Sequence, residues 1–436
     1  MNWVEISLRL CVREVTLRMV KLPPEWGIEP VPAEKRILGS IDYFVLWSSL
    51  AVGLLVLQAG GLLTPGLSVF EAVIVALLGS VAGSIMLALA GGLGSKHGIP
   101  TMVTLRAVLG LNGSYLPTIL NVLQLVGWTS FEILIMADAA SIAGPFLGSY
   151  TRHFWILVFA GICMLMGLSG PLVVVKQWLE KFAIWLVYAT AAFITYIVLS
   201  SFTNLLSFRG DGSLPITLAL DLVIAMPISW WPLISDYNRF SKSEKDAFAG
   251  TATGYTFANF WFYALGALLT MAYPGQTVIK SVASITFGSL ALIILLVDET
   301  DNGFADIYSA AVSMQNLSPK SRQRRLIVAI TLVSIFVAIF MPEQWQSAYE
   351  GFLLYIGGIF VPLLGVLFMD FYFVKKRQYR LEEFYGSAKR YRIRPLVAWL
   401  IGVFIYFALN AYTTIGSSIP SFLLSALTLY VLEKRP

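Results

Sequence analysis

Four carboxyl side chains crowd nine positions of an otherwise apolar stretch, ALIILLVDETDNGFADIYSAAV: Asp298, Glu299, Asp301 and Asp306, with Asn302 and Gly303 among them. At helical spacing Glu299, Asn302 and Asp306 share one face, and Asp298 and Asp301 share another. Four carboxylates in such surroundings cannot all stay charged without partners. Some must be protonated, bind a cation, or face water. That is the composition expected of an ion-coupled site. The alternative is that 298–303 lies at a membrane edge and is simply solvated.

A second constellation lies in LPTILNVLQLVGWTSFEILIMADAA, where Asn121, Gln124, Trp128 and Glu132 recur at steps of three and four and so share a helix face. An aromatic ring with a hydrogen-bonding group one turn away suits a flat heterocycle: the ring stacks, and the polar group reads the edge. The competing reading is bonding to neighbouring helices, which Asn121 and Gln124 would satisfy more readily than a mid-span carboxylate. In IAMPISWWPLISDYNRF, Pro227 and Pro232 each remove a backbone donor, which predicts an interrupted span beside Ser229, Trp230 and Trp231. Trp231 would serve equally well in an interfacial belt. Ser48, Ser49, Gly53 and Gln58 in the first apolar run permit close packing or local unwinding.

The elements that must position these groups are membrane helices. The chain has 436 residues, 57% hydrophobic and 13% charged, against about 25% charged in soluble domains. A bilayer core takes roughly 20 apolar residues per helix. The runs predict twelve spans, at about 39–63, 70–92, 116–143, 153–170, 178–202, 215–235, 249–273, 284–310, 326–342, 350–374, 394–414 and 417–433. With both ends inside, the inside segments hold 27 Lys and Arg, and the outside loops hold only Arg152, Arg209 and Lys280. Basic residues stay on the cytoplasmic side, so both termini are expected there.

The resulting layout is a cytoplasmic segment 1–38, a ten-helix core 39–374, a basic linker 375–394 and a two-helix tail 395–436. Ten spans divide into two sets of five, and an odd number per set gives the halves opposite orientation. The N-terminus lacks the features of a signal peptide. Met19 would serve as a start, and residues 1–18 are expected to be dispensable. Cys11, Cys163, His97 and His153 are scattered, so neither a disulfide framework nor a zinc site is expected. No nucleotide loop or nucleophile elbow occurs in a credible context.

Three segments together resemble nucleobase–cation symporter family 1, which includes the cytosine permeases: GLNGSYLPTILNVLQLVGWTSFE at 110–132, SWWPLISDYNRFSKS at 229–243 and TDNGFADIYSAAVSMQNLS at 300–318. The last, with NVLQLVGW, looks closest to a branch assigned to hydroxymethylpyrimidine. The resemblance implies an all-α integral membrane fold, a LeuT-like five-plus-five inverted repeat with two further C-terminal helices, holding substrate between spans 1, 3, 6 and 8. It implies that Trp128 stacks on the heterocycle and that Glu132 binds its edge. Gln124, Ser229, Trp230, Asn302 and Asp306 complete the expected substrate set. The family's second aromatic falls on Pro227 here, which leaves Trp230 as a substitute. Its sodium site, carried over, involves carbonyls near Ser49 and Val52, with Asp301 and Asn302 where the family has hydroxyls; an aspartate there suits either sodium or a proton.

The expectation is therefore a symporter of the plasma membrane, and not an enzyme. It would import a nucleobase or related pyrimidine (cytosine, a purine or hydroxymethylpyrimidine) with Na+ or H+. It would need no cofactor beyond Na+ as a coupling ion and no nucleic-acid partner. The rival readings are an amino-acid or osmolyte symporter on the same architecture and a membrane-embedded enzyme using the 298–306 carboxyls on a lipid.

Overall fold

The computed structural model describes residues 26–142, 146–174, 182–202, 207–342, 345–386 and 389–434. The segment 1–18, expected to be dispensable, lies outside the described residues. Fourteen helices carry the architecture: α1 Ser40–Ser49, α2 Leu54–Gly61, α3 Val69–Ala90, α4 Tyr115–Ser141, α5 Thr151–Ser169, α6 Ile184–Ser201, α7 Ile216–Trp230, α8 Ile234–Asn238, α9 Glu244–Ala272, α10 Gly288–Leu317, α11 Gln323–Phe340, α12 Gln346–Phe368, α13 Ile393–Tyr412 and α14 Ser418–Lys434. Among the described residues the only β pairing is the isolated bridge between Leu38 and Ser241. Two of these helices start where a side chain satisfies a free amide. Ser68 and Glu71 cap α3 reciprocally, and Ser243 accepts the Asp246 amide at the head of α9 (3.1 Å).

Polarity is distributed inside out relative to a soluble protein. Phe70, Leu123, Phe340 and Phe404 are more than 60% exposed, whereas Glu132, Asp298, Glu299, Asp301 and Asp306 are buried. Outward apolar rings and inward acids are the arrangement a lipid solvent selects. Eight described helices are long and apolar enough to cross a membrane, or nine if α1 and α2, bent by 63°, form one span. Helices α9, α10 and α14 occupy the other three expected positions. Each falls short for a visible reason: Gly, Thr, Asn, Tyr and Trp dilute α9, four acids sit in α10, and α14 has 17 residues.

The helix pairing maps onto itself when each element is shifted by five spans. The α1–α2 pair packs on α9, and its counterpart α7 packs on α3. The α4–α10 and α3–α9 pairs are each their own counterpart, and α5 on α10 matches α11 on α4. The equivalence reaches individual residues. Gly250 and Gly254 of α9 lie against Tyr43 and Phe44 of α1, and Gly79 and Gly83 of α3 lie against Val223, Ile224 and Pro227 of α7. Each pair of glycines is four residues apart, so one smooth helix stripe admits the facing backbone.

One sequence expectation is corrected here. Pro227 sits inside α7 without interrupting it, and its ring packs against Gly83 of α3, where a side chain would collide with it. The break comes later, at the single 3-10 turn Trp231–Leu233 around Pro232.

The segments assigned to one side by their charge meet on one face. The Val31 amide donates to the Gly98 carbonyl (2.8 Å), and the Leu111 and Asn112 amides donate to the carbonyls of Lys389 and Arg390 (2.7 and 2.9 Å). The Arg36 guanidinium binds the His97 carbonyl (2.9 Å), and the Tyr385 hydroxyl binds that of Ile28 (2.6 Å).

Candidate transport site

The site is built around the interruption between α1 and α2. Helix α1 ends at Ser49, and Gly53 adopts φ 140° and ψ 169° before α2 begins at Leu54. Two features demand glycine at that position. The positive φ is one that side-chain-bearing residues rarely hold, and an added Cβ would lie 2.6 Å from Glu299 Oε2. Glu299 occupies that space because it caps α2: the Leu54 amide donates to its Oε2 at 2.7 Å. A carboxylate suits the positive end of a helix.

Helix α10 supplies the rest of the acids. The Ser49 hydroxyl lies 2.5 Å from Asp301 Oδ2 and 3.3 Å from Asp298 Oδ1. The Asn302 amide group donates to the Val52 carbonyl at 3.2 Å. The four residues expected at an ion site, Ser49, Val52, Asp301 and Asn302, thus come together at the break. Among the described residues no group of three His, Cys, Asp or Glu side chains is disposed to hold a metal ion. All of Asp298 to Asp301 are buried, which rules out the solvated membrane edge considered for 298–303.

Helix α4 faces this cluster. The Glu132 carboxyl lies against that of Glu299, with Asp306 and Cys163 near by. Trp128 is buried edge-to-face against Tyr349 (5.9 Å) and Phe352 (5.4 Å) of α12. Gln124 donates to Asn121 Oδ1 (2.7 Å) and to the Ser229 carbonyl (3.5 Å), and Asn121 donates to the Ser313 hydroxyl (2.9 Å). Bonding to neighbouring helices therefore accounts for the Asn121 NH2 group and for part of that of Gln124, while Asn121 Oδ1 is taken by Gln124 within α4. The Ser229 hydroxyl turns back to the Met226 carbonyl (2.7 Å). Trp230 belongs to a different aromatic group, edge-to-face with Trp47 at 6.3 Å, and no ring pairing joins it to Trp128 among the described residues. Trp231 is fully buried and donates to the Phe360 carbonyl (3.0 Å); it is not an interfacial residue.

Sequence reasoning passed over Tyr349, Phe352 and Trp47, and counted Glu299 among the acids without seeing its capping role. No local signal marks the aromatics, since each matters only through a neighbour distant in the chain. The cap was readable in part, from a glycine in one apolar run and an excess of acid in another.

The chemistry follows from hydrogen-bond arithmetic. Among the residues just described on α4 and α10, six buried oxygens have no donor: Gln124 Oε1, Glu132 Oε2, Asp298 Oδ2, Glu299 Oε1, Asp301 Oδ1 and Asn302 Oδ1. Every one is an acceptor, and buried acceptors without partners are costly. None of these carboxyls forms an ion pair with a described residue. The nearby Arg239 guanidinium is used by the Gly27 and Asp236 carbonyls and the Tyr308 hydroxyl. The centre of the protein is therefore a sink for positive charge and N–H donors.

Two inverted five-helix sets enclosing a broken, donor-poor centre define a secondary transporter. Residues 30–431 match the family described as permease for cytosine/purines, uracil, thiamine, allantoin, and the chain belongs to that permease family. A hydantoin permease of Microbacterium maritypicum is 22% identical over 433 residues, spanning 93% of this chain and 88% of that protein. Among solved structures, MHP1, a nucleobase-cation-symport-1 family transporter in a closed conformation with bromovinylhydantoin bound, aligns with TM-score 0.80 at 19% identity, over 94% of this chain and 96% of that one. A Na+-coupled sialic acid symporter aligns with TM-score 0.66 at 14% identity, over 92% and 89%. The chain is thus a multi-pass membrane transporter rather than an enzyme, with the fold of these two symporters.

Proposed function

We propose that this permease carries a small, flat, N–H-rich heterocycle of the pyrimidine type into the cell together with a cation, from the plasma membrane and with both termini in the cytoplasm. Trp128 stacks on the ring, Glu132 and the free oxygen of Gln124 accept from its edge, and Ser229, Trp230, Asn302 and Asp306 close the chamber. Ser49, Val52, Asp301 and Asn302 hold the coupling ion. Hydroxymethylpyrimidine and cytosine, both amino-bearing, suit this acceptor set better than a substrate that presents mainly carbonyls.

The observation that carries the reading is the set of donorless oxygens on α4 and α10, two of which, on Gln124 and Glu132, stand one helix turn to either side of Trp128. A ligand that brings donors relieves the cost of those oxygens, and a cation relieves the charge. The test is thermal stabilisation of the purified protein by a panel of cytosine, uracil, purines, hydantoins, hydroxymethylpyrimidine, amino acids and betaine, each with and without sodium. Binding to the native state raises apparent stability, by about 2.7 kcal/mol at a hundredfold excess over Kd. An amino-heterocycle is expected to give the largest rise. Stabilisation by an amino acid or betaine alone would sink the reading. Trp128→Ala and Glu132→Ala are each expected to abolish saturable uptake of that heterocycle while the protein remains folded; normal uptake by both refutes the assigned site.

A further inference from the structure

We propose that the cavity where the ten-helix core, the basic linker and the two-helix tail meet seats the phosphate headgroup of an anionic phospholipid, which pins the tail to the core. The proposal goes beyond the transport reading and needs only that the chain is embedded in a membrane.

The cavity holds about 600 Å3. The short helix Thr101–Leu109 of the core brings Arg106 to its wall, the linker brings Lys375 and Lys389, and the start of α13 brings Arg392 and Arg394. The acids in the wall are Glu383 of the linker and Glu433 of α14.

These charges do not balance. Arg392 forms a two-pronged ion pair with Asp370 (2.9 and 2.7 Å) and reaches Glu433 at 3.1 Å. Arg394 lies 3.6 Å from the other oxygen of Glu433, and Lys375 pairs with Glu383 at 3.2 Å. Three carboxylates thus meet three cations. Arg106 and Lys389 are left over, and neither forms an ion pair with a described residue. Arg106 is only 5% exposed. Its nitrogens donate to neutral acceptors, Asn316 Oδ1 (2.6 Å) and the carbonyls of Asn316 (3.2 Å) and Phe384 (3.4 Å). A buried cation without a counter-charge is costly. Lys389 is exposed, but its backbone is fixed, because its carbonyl accepts the Leu111 amide at 2.7 Å. The wall therefore carries an excess of two positive charges, the complement of a phosphate-bearing ligand.

Helix α13 adds to the attraction. No side chain caps this helix of 20 residues, and Ile393, Arg394 and Pro395 of its first turn line the cavity. A helix start carries partial positive charge and free amides.

The same helix distinguishes a lipid from a free phosphate. From the rim of the cavity, Ile393, Val397, Leu400 and Phe404 are exposed at steps of four, three and four, so they form one outward apolar stripe. A soluble phosphate would leave that stripe without a role. A phospholipid uses both parts: its headgroup enters the basic wall, and an acyl chain runs along α13. On the orientation proposed above, the cavity opens to the inner leaflet, whose surface carries anionic lipid. Bound there, the headgroup faces Arg106 of the core and Arg394 of the tail together.

The test uses the full chain, purified in a neutral detergent and stripped of lipid. Its melting temperature and native mass spectra are followed as lipid is added. Phosphatidylglycerol and cardiolipin are expected to raise the melting temperature and to be retained in the spectra, at concentrations where phosphatidylcholine does neither. Lys389→Gln with Arg394→Gln changes two exposed side chains. This double variant is expected to fold and to bind the anionic lipids more weakly, by about fivefold for each cation removed. Lys320→Gln with Arg322→Gln removes as much charge from an exposed stretch away from the cavity, and is expected to keep the unmodified affinity.

An equal loss in the two double variants would reduce the effect to general surface charge and overturn the proposal, as would the absence of any preference for anionic lipid. Glycerol 3-phosphate and inorganic phosphate form the soluble arm. If either stabilises the protein as well as the lipids do, the occupant is a free phosphate and the lipid assignment falls. Should the cavity variant fail to fold, phosphatidylglycerol with a photoreactive headgroup decides on the unmodified protein. Cross-links are expected within residues 374–375 and 389–395, and cross-links confined to other segments refute the site. No transported solute enters any of these measurements, so their outcome is independent of the ligand panel.

Discussion

The opening helix of each five-helix set is broken, and the two breaks are satisfied in different ways. In the first set, between Ser49 and Leu54, the free amide meets an acid: Glu299 accepts from Leu54, while the neutral Asn302, next to Asp301 in the chain, donates to the Val52 carbonyl. In the second set, at Trp231–Leu233, the free backbone groups meet neutral side chains. Asn121 donates to the Pro232 carbonyl (3.4 Å), Gln124 to that of Ser229 (3.5 Å), and the Thr101 hydroxyl accepts the Ser235 amide (2.8 Å). Neutral bonds of that kind are indifferent to ions. Acid-filled backbone is stable only when positive charge is supplied. One topological device thus occurs twice, and cation sensitivity is expected at only one of its copies.

The comparison breaks most severely if Gly53 tolerates a side chain. Gly53→Ala places a Cβ against Glu299 Oε2 and forces alanine to a backbone angle costing about 1–3 kcal/mol. It also displaces the cap, whose charge-assisted bond contributes about 1.5–3 kcal/mol. The expected outcome is a strongly lowered melting temperature and loss of sodium or proton dependence of uptake in whatever protein survives. The second break has no counterpart of this glycine. Wild-type stability and ion dependence in Gly53→Ala would show that the acid-capped geometry at the first break is not what sets cation sensitivity.

Asp301→Asn sharpens the same contrast with a smaller change. The substitution keeps the shape and removes a carboxylate from the proposed ion site. The apparent affinity for the coupling cation is expected to drop about tenfold or more, a tenfold loss being ~1.4 kcal/mol, while the ranking of heterocycles in the panel stays the same. The control is Asp236→Asn in the second set, where the carboxyl accepts the Thr101 amide (3.0 Å) beside Arg239; it is expected to alter stability and leave the cation titration alone. Superimposable sodium and pH titrations for Asp301→Asn and the unmodified protein would remove Asp301 from the ion site.

How much of this was legible in the sequence depended on whether the signal was an expense or a fit. Glu132 and the acids of 298–306 stood out because burying a charge in an apolar span is costly, and cost is visible residue by residue. The helices, the outward apolar faces and the common face of the basic loops followed from the same logic. Fits were not visible. Tyr349 and Phe352 matter because α12 delivers them to Trp128 from more than two hundred positions away. Pro227 passed for a helix breaker because residue type alone does not show that α7 runs on through it, packed against Gly83 of another helix. The residue-level likeness of the two sets, whose five-plus-five division was legible in the topology, escaped for a related reason: Gly79 with Gly83 and Gly250 with Gly254 repeat a backbone approach, not a motif that alignment by residue type would catch.

The smallest expected effect tests the quiet side of the comparison. Trp231 is fully buried at the second break and donates its indole N–H to the Phe360 carbonyl, tying the 3-10 turn to α12. Trp231→Phe keeps most of the apolar bulk and deletes that one bond, so the cost is about 1 kcal/mol plus a part of the ring's packing. A modest drop in melting temperature is expected at every pH and every sodium concentration, by the same amount. That parallel displacement is the informative result, because a break held by neutral bonds has nothing for a cation to adjust. If the drop instead grows or shrinks with sodium, the two breaks communicate through α12, whose Tyr349 sits between Trp128 and the hydroxyl's contact with the Leu55 carbonyl at 3.4 Å. Ion sensitivity would then belong to the pair of breaks and not to the first alone.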